Sequence, residues 1–171
     1  LGSLDSVSSV VLTVQSEVAD RILSQPSTKE YGILSVMLQL FGGVERLFEI
    51  SPTAFEPQPK CSASALRLTP CATPAGSDAT SAAQRKQLLA VLKKAFEQRR
   101  KMLRVTLKPL LEAASVRPSD ATLAKRPEQL APGEWVELSA MLFGDQVGGD
   151  VLLTAAHPSA AWQPHKAGYK L

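Results

Sequence analysis

The residues best suited to chemistry in this sequence are the lysines and arginines of positions 85–108. This stretch holds nine Lys or Arg residues against one acid, Glu97, so its local net charge is +8, whereas the whole chain carries +3. Cations gathered in one segment without interleaved acids are typical of a surface that binds phosphate groups. The ordinary alternative is a solvated helix face. We predict nucleic-acid contacts for Lys86, Lys93, Lys94, Arg100, Lys101, Arg104 and Lys108.

Arg99 and Arg100 differ from the other cations because they flank the apolar side of the predicted helix. An ion pair with a buried partner, or the capping of loop carbonyls, explains them as well as contact with RNA does.

Other classes of chemistry find little support in the sequence. His157 and His165 have no carboxylate or cysteine partners at the spacing of a metal site or a catalytic triad. No apolar run approaches the ~20 residues that a helix needs to span a bilayer, so we expect no membrane partner. Two cysteines, Cys61 and Cys71, stand ten residues apart and are interpreted as free thiols, with a bridge as the alternative.

The cations must be positioned by a helix. The leucines and phenylalanine of this region recur at three-, four- and seven-residue steps, which places them on one helix face. These residues are Leu89, Leu92, Phe96, Leu103 and Leu107. We predict one continuous helix over residues 81–113 that docks by this stripe and presents its cations beside it.

The segment before the cations alternates between strand and helix patterns. Residues 10–14 form a short apolar, β-branched run, which is typical of a strand buried on both faces of a parallel sheet. Ser16 is predicted as the N-cap of a helix with Val18, Ile22 and Leu23 inward. A second helix over residues 32–40 ends at two glycines. Strands are predicted at 44–50 and 63–69, and the three prolines of the loop 51–60 exclude regular structure there.

The chain therefore divides into four parts: a partial α/β domain at residues 1–69, a linker at 70–83, a helical RNA-binding domain at 84–143 and an extended tail at 144–171. In the helical part, Ser119 or Asp120 begins a short helix. Pro132 begins a final one, over residues 132–143, with Trp135, Leu138, Met141 and Leu142 inward.

The predicted sheet has too few strands to be complete. A buried parallel strand with covering helices needs strand neighbours. We expect an exposed strand edge and a requirement for a partner.

Three stretches, in order, resemble the KsgA-type ribosomal RNA adenine N6,N6-dimethyltransferases. They are residues 14–22 with 31–36, the motif Pro52-x-x-Phe55-x-Pro57-x-Pro59-Lys60, and the motif Phe96-x-Gln98-Arg99-Arg100-Lys101-x-Leu103-Arg104-x-x-Leu107 followed by Arg126-Pro127-Glu128-x-Leu130. The chain departs from the family pattern at Ser16, where Lys is usual. It also has Cys61-Ser62-Ala63 for Val-Asp-Ser, and Val105 for a common Asn.

The resemblance implies an α/β fold class: the C-terminal part of a Rossmann-like methyltransferase sheet, followed by a small all-helical RNA-binding domain. It implies that Phe55 stacks on the target adenine and that Lys60 contacts RNA. The family's cofactor is S-adenosylmethionine, but the sequence contains neither its Gly-rich loop nor its Asn-Leu-Pro-aromatic motif. We therefore expect no catalytic residue and no cofactor bound by this chain alone; S-adenosylmethionine would bind if the other half is supplied.

Three hypotheses follow for the function. The favoured one is a non-catalytic, rRNA-binding component or assembly factor of a small ribosomal subunit. The second is the C-terminal half of an active dimethyltransferase, and the third is a protein–protein adaptor. The expected partners are small-subunit rRNA and either ribosomal proteins or a complementary methyltransferase half. The expected location is a mitochondrial ribosome, with the cytoplasm as the alternative.

Overall fold

A computed structural model describes residues 7–70, 82–114 and 116–143. The fold is α/β, with a small antiparallel sheet followed by helices. The strands are β1 (Val10–Gln15), β2 (Gly42–Ile50) and β3 (Ala63–Pro70). The helices are α1 (Ser16–Leu23), α2 (Ile33–Phe41), α3 (Ala82–Phe96), α4 (Leu103–Thr106), α5 (Lys108–Ala113), α6 (Asp120–Ala124) and α7 (Pro132–Phe143), with 3₁₀ turns at Pro52–Ala54 and Pro127–Gln129.

The sheet has the strand order β1–β3–β2, and β3 is antiparallel to both neighbours. The prediction of a parallel strand buried on both faces at residues 10–14 is therefore wrong. Within the described residues β1 pairs on one side only, and Val11 is 61% exposed. A run of β-branched residues favours extended backbone, but it does not report what covers that backbone.

One face of the sheet is covered by α1. Ala19 and Ile22 of α1 and Leu66 of β3 form a small buried cluster, against which Leu12 and Val14 of β1 pack. The predicted inward position of Ile22 is confirmed, and Val18 and Leu23 border the same cluster.

A larger core joins the sheet part of the chain to the helices that follow it. Tyr31 and Val36, from the region before β2, are fully buried with residues of α3 to α7. The members from the later part of the chain are Leu88, Val91, Leu92, Ala95, Leu103, Leu107, Leu123, Leu130, Trp135, Leu138 and Leu142. Helix α2 therefore packs against both parts of the chain.

The continuous basic helix predicted for residues 81–113 is wrong. Helix α3 ends at Phe96, turns occupy residues 97–101, and two short helices, α4 and α5, follow. The backbone N–H of Leu103 bonds to the carbonyl of Lys125 at 2.9 Å instead of to a preceding helical turn. Pro109 lies in the first turn of α5, where its missing N–H costs nothing. Tertiary contacts have overridden a strong helical pattern.

Several boundaries also differ from prediction. Gln15, not Ser16, is the N-cap of α1, so Ser16 is the first helical residue. The two glycines after α2 begin β2 instead of forming a loop. Loop 51–60 contains one short 3₁₀ turn. Met141 of α7 is exposed, whereas the sequence pattern predicts it inward.

Other predicted elements are confirmed. Strand β3 and helices α6 and α7 lie where the sequence places them, and the Ser119 side chain caps α6 by accepting the N–H of Thr122 at 3.2 Å. Trp135, Leu138 and Leu142 are buried as predicted. The predicted tail at 144–171 and most of the predicted linker lie outside the described residues, so the division into four parts stays a prediction. No helix in the described ranges combines the length and apolarity needed to cross a membrane.

Candidate nucleic-acid interface

The predicted phosphate-binding residues are distributed over four consecutive pieces of structure. Lys86, Lys93 and Lys94 lie on α3, Arg100 and Lys101 lie in the turn after it, Arg104 lies on α4, and Lys108 is the first residue of α5. Phe55 and Lys60 lie elsewhere, in the loop between β2 and β3, and both are exposed.

Two of these cations are partly neutralised. The Lys94 Nζ lies 3.0 Å from the Glu97 carboxylate, and the Lys108 Nζ lies 3.8 Å from that of Glu112. Both pairs are exposed, and exposed pairs of this kind contribute little to stability.

The remaining five have no acidic partner in the described part of the chain: Lys86, Lys93, Arg100, Lys101 and Arg104. All five are exposed. A cation that is exposed and unpaired remains available to an anionic ligand.

Arg100 and Lys101 lie in the turn after α3, and Arg104 lies on α4; all three are exposed. Within α4, Leu103 and Thr106 point into the core and are almost completely buried. Arg104 therefore lies on the outer side of this single helical turn, next to the two cations that precede it. Sequence periodicity places these residues on a long helix; the structure places them at a corner.

Arg99 does not belong to this exposed group. Its Nε donates to the Glu128 carboxylate at 2.8 Å, its Nη2 donates to the carbonyl of Thr28 at 2.7 Å, and its Nη1 donates to the carbonyl of Lys29. The Glu128 carbonyl also accepts the N–H of Ser27 at 2.7 Å. Of the two roles left open for Arg99, the structure shows the capping of loop carbonyls combined with an ion pair.

Tyr31 forms a second connection between the loop that precedes α2 and the helical part. Its hydroxyl donates to the Leu130 carbonyl at 2.8 Å, and the side chain is fully buried. Burial, with a smaller contribution from the negative charge of Glu134, raises the pKa of Tyr31 well above its usual range. The hydroxyl therefore stays protonated as a donor.

Glu134 stabilises the beginning of α7. Burial raises the pKa of its carboxyl, but the hydrogen bonds from the Lys125 Nζ and the Ala131 N–H outweigh this effect and leave the pKa below its usual value. The carboxylate therefore remains charged at the positive end of the helix dipole.

The loop that carries Phe55 is built by local hydrogen bonds. The Ser51 Oγ accepts the N–H of Thr53 at 3.3 Å, and the N–H of Phe55 donates to the Pro52 carbonyl at 3.3 Å. The Glu56–Pro57 peptide bond is cis. The loop ends at Ser62, whose carbonyl accepts the N–H of Ser16 at 3.0 Å. An aromatic ring on such a loop is exposed and can offer a face to a base.

Three of the described glycines have open surroundings. A Cβ added at Gly32 would meet only ordinary van der Waals contact, and one added at Gly43 or Gly133 would meet nothing within 4 Å. These three positions therefore leave room for a side chain. The described residues also contain no cluster of His, Cys, Asp or Glu that could hold a metal ion.

Sequence reasoning missed the bonds of Tyr31 and the exposure of Met102 and Val105 beside the cations. No pattern in the sequence could reveal the Tyr31 bond, because its two partners are 99 positions apart. The exposure of Met102 and Val105 follows from the break in the helix, which periodicity does not predict.

Comparison with known proteins gives consistent results. A family model described as ribosomal RNA adenine dimethylase matches residues 3–141. The chain is 40% identical over 136 residues to a ribosomal RNA small subunit methyltransferase A of Porphyromonas gingivalis, covering 75% of this chain and 48% of the relative. It is 40% identical over 129 residues to the protein of that name from Pseudomonas aeruginosa, with 75% and 47% covered. The chain thus spans about half the length of the curated relatives it matches.

A solved structure shares the fold. The crystal structure of a dimethyladenosine transferase from Plasmodium falciparum superposes with a TM-score of 0.63 at 21% identity, covering 77% of this chain and 55% of the other.

Proposed function

The chain belongs to the ribosomal RNA adenine dimethylase family, and we propose that it forms the RNA-binding part of an S-adenosylmethionine-dependent rRNA adenine dimethyltransferase. Its substrate is small-subunit rRNA, and cofactor binding belongs to a segment outside this sequence. The observation that carries the proposal is the group of exposed cations without acidic partners, within the described residues, on α3, the following turn and α4.

The extent of the similarity favours this proposal over a non-catalytic assembly factor. The family match runs from residue 3 to residue 141 and so includes both the sheet and the helices after it. An identity of 40% to curated methyltransferases over 136 residues is more than relaxed constraint on a discarded enzyme leads us to expect.

The assignment of the cofactor to another segment rests on motifs that the sequence lacks. S-Adenosylmethionine-dependent transfer needs a cofactor site in which backbone approaches the ligand closely. The sequence lacks the Gly-rich loop and the Asn-Leu-Pro-aromatic motif that the resemblance associates with this site. When bound elsewhere, the cofactor supplies the methyl group; the residues of this chain bind the RNA and orient the target.

Phe55 is proposed to orient the target adenine. A base that leaves its stack loses contact with its neighbours, and an exposed aromatic ring replaces that contact. The hydrogen-bonded turn before Phe55 fixes the backbone from which this ring projects. Lys60, in the same loop and also exposed, is placed to contact a nearby phosphate.

The proposal is tested with a triple variant, K93Q/K101Q/R104Q, which removes three unpaired cations. We expect its affinity for transcribed small-subunit rRNA to fall at least tenfold at low salt, because each phosphate without its cation releases fewer counterions on binding. The slope of log affinity against log salt should flatten by about 0.7–0.9 for each phosphate that the variant no longer neutralises.

The matched control is R21Q/K29Q/R117Q, which removes the same charge from exposed positions in other parts of the structure. An equal fall in affinity in both variants would contradict the proposal, because it would indicate a response to net charge alone. In a methyl-transfer assay with S-adenosylmethionine, the chain should be inactive alone and active when the rest of the family fold is supplied. Transfer by the chain alone would contradict the cofactor assignment. Absence of transfer with intact RNA binding would favour the assembly factor.

A further inference from the structure

Two exposed apolar side chains lie among the unpaired cations. Met102 is the N-cap of α4 and Val105 lies three residues later; they are 38% and 53% exposed. Arg100 and Lys101 precede them, and Arg104 lies between them. The apolar-basic corner, as we call these five residues, occupies one turn and one short helix.

The positions of Met102 and Val105 are not explained by the core. Leu103 and Thr106 already fill the inward side of α4, so the two apolar side chains lie on its outer side. A single exposed apolar residue needs no explanation. Two such residues that alternate with unpaired cations in the sequence form a surface that is both apolar and basic.

The charge of this surface selects its ligand. Arg100, Lys101 and Arg104 have no acidic partner among the described residues, so the ligand must carry negative charge close to apolar groups. RNA offers this combination, because the shallow minor groove and unpaired loops expose ribose and base edges between phosphates. An acidic protein segment is the other candidate, and the density of cations without any interleaved acid favours RNA.

We propose that Met102 and Val105 make direct apolar contacts with ribose and base edges of the RNA whose phosphates are bound by Arg100, Lys101 and Arg104. This inference rests on the proposed function and adds to it a component of binding that does not depend on salt. Phosphate contacts release counterions, whereas apolar contacts do not.

The test is the double variant M102Q/V105T in the full chain. Both substitutions keep the size of the side chain and remove apolar surface, so folding should be preserved. We expect the affinity for transcribed small-subunit rRNA to fall about fivefold to tenfold. The salt slope should stay unchanged, because every phosphate keeps its cation.

The chain supplies a closely matched control, M141Q/V116T. Met141 and Val116 are 40% and 54% exposed and lie outside the apolar-basic corner. This variant should bind RNA like the wild type. A change of salt slope in M102Q/V105T, or the same fall in affinity in both variants, would overturn the inference.

The outcome is separable from that of the proposed function. If K93Q/K101Q/R104Q weakens RNA binding while M102Q/V105T does not, the proposed function stands. The inference is then overturned, because the cations bind RNA without a contribution from Met102 and Val105. If neither variant alters RNA binding, both are overturned.

Discussion

At the scale of single residues, Tyr31 joins two distant parts of the chain through one buried hydrogen bond. Its hydroxyl is buried and donates to the Leu130 carbonyl across 99 positions of sequence. Removing this donor leaves a buried carbonyl without its partner, which is more costly than removing an exposed hydrogen bond.

The variant Tyr31→Phe should therefore reduce the free energy of unfolding by about 1–3 kcal/mol. It should also alter the alkaline pH dependence. The pKa of Tyr31 is higher in the folded chain than the value of about 10 for the unfolded chain. The contribution of Tyr31 is thus fully present below pH ~10 and is lost as the pH rises above that value.

Urea unfolding at two values of pH checks this prediction. The difference in stability between wild type and Tyr31→Phe should be largest near neutral pH and shrink above pH ~10. Comparing the two proteins at each pH removes the contribution of the lysines, which also titrate there. A difference that stays constant across this range would mean that the pKa of Tyr31 is the same in the folded and unfolded states.

The sequence predicts the burial of a side chain well where helical periodicity determines it. It predicts a hydrogen-bond partner poorly where that partner is distant in the sequence. The inward position of Ile22 follows from helical periodicity and is confirmed. The residue type of Ser16 favours a cap of α1. In the structure its Oγ instead accepts the hydroxyl of Ser62 at 2.9 Å, a partner 46 positions away.

At the scale of elements, the break after α3 is the main difference between sequence and structure. The helical pattern over residues 81–113 is strong, and α3 does follow it. In the turn that interrupts the pattern, the guanidinium of Arg99 bonds to two loop carbonyls and to Glu128. Periodicity measures a preference within one segment, and it contains no information about carbonyls contributed by a loop 70 positions earlier.

Arg99→Lys should destabilise the chain by about 1–2 kcal/mol. A lysine keeps the charge but cannot reproduce the planar fork that reaches Glu128, Thr28 and Lys29 together. The charge attraction between Arg99 and Glu128 adds little to this stability, because both side chains are about one-third exposed and solvent screens the pair.

Arg100→Lys is the matched control for this prediction. Arg100 is the next residue, is exposed and has no ion-pair partner among the described residues. Thermal or urea unfolding should therefore separate the two variants, with Arg100→Lys close to wild type. Equal stability of both would show that the bonds of Arg99 contribute nothing to the fold.

At the scale of the whole molecule, the two outer strands of the sheet differ in how their edges are protected. Strand β2 carries Glu45, Arg46 and Glu49 and a register irregularity between Arg46 and Phe48. Charges and bulges of this kind discourage pairing with another strand. Strand β1 has neither a charge nor a proline, and its register with β3 is regular. The edge of β1 is thus suited to receive another strand.

The full 171-residue chain, produced by itself, should self-associate through β1. Val11→Lys should increase the monomer fraction, because a charge on an edge strand opposes strand addition. Light scattering during size-exclusion chromatography measures this fraction. The control is Val116→Lys, which places the same charge at a similarly exposed position outside the sheet. A wild-type chain that is monomeric and monodisperse would contradict the prediction.

The fold class is predictable from the sequence, whereas the strand arrangement is not. Apolar runs bounded by glycine and proline locate the strands. Whether two strands pair parallel or antiparallel depends on the connections between them and on the neighbouring strands. The resemblance, carried by motifs such as the one around Phe55, predicts the family that the comparisons show.

The shared core around Tyr31 and Val36 has a consequence for how such a chain can evolve. A genetic exchange at the boundary between residues 69 and 70 would pair the α2 of one parent with the α3 and α7 of another. The fully buried side chains that meet there would then come from different parents, and they would not have been selected to pack against each other. Recombinants that inherit α2 together with the later helices should survive more often than those divided at the linker.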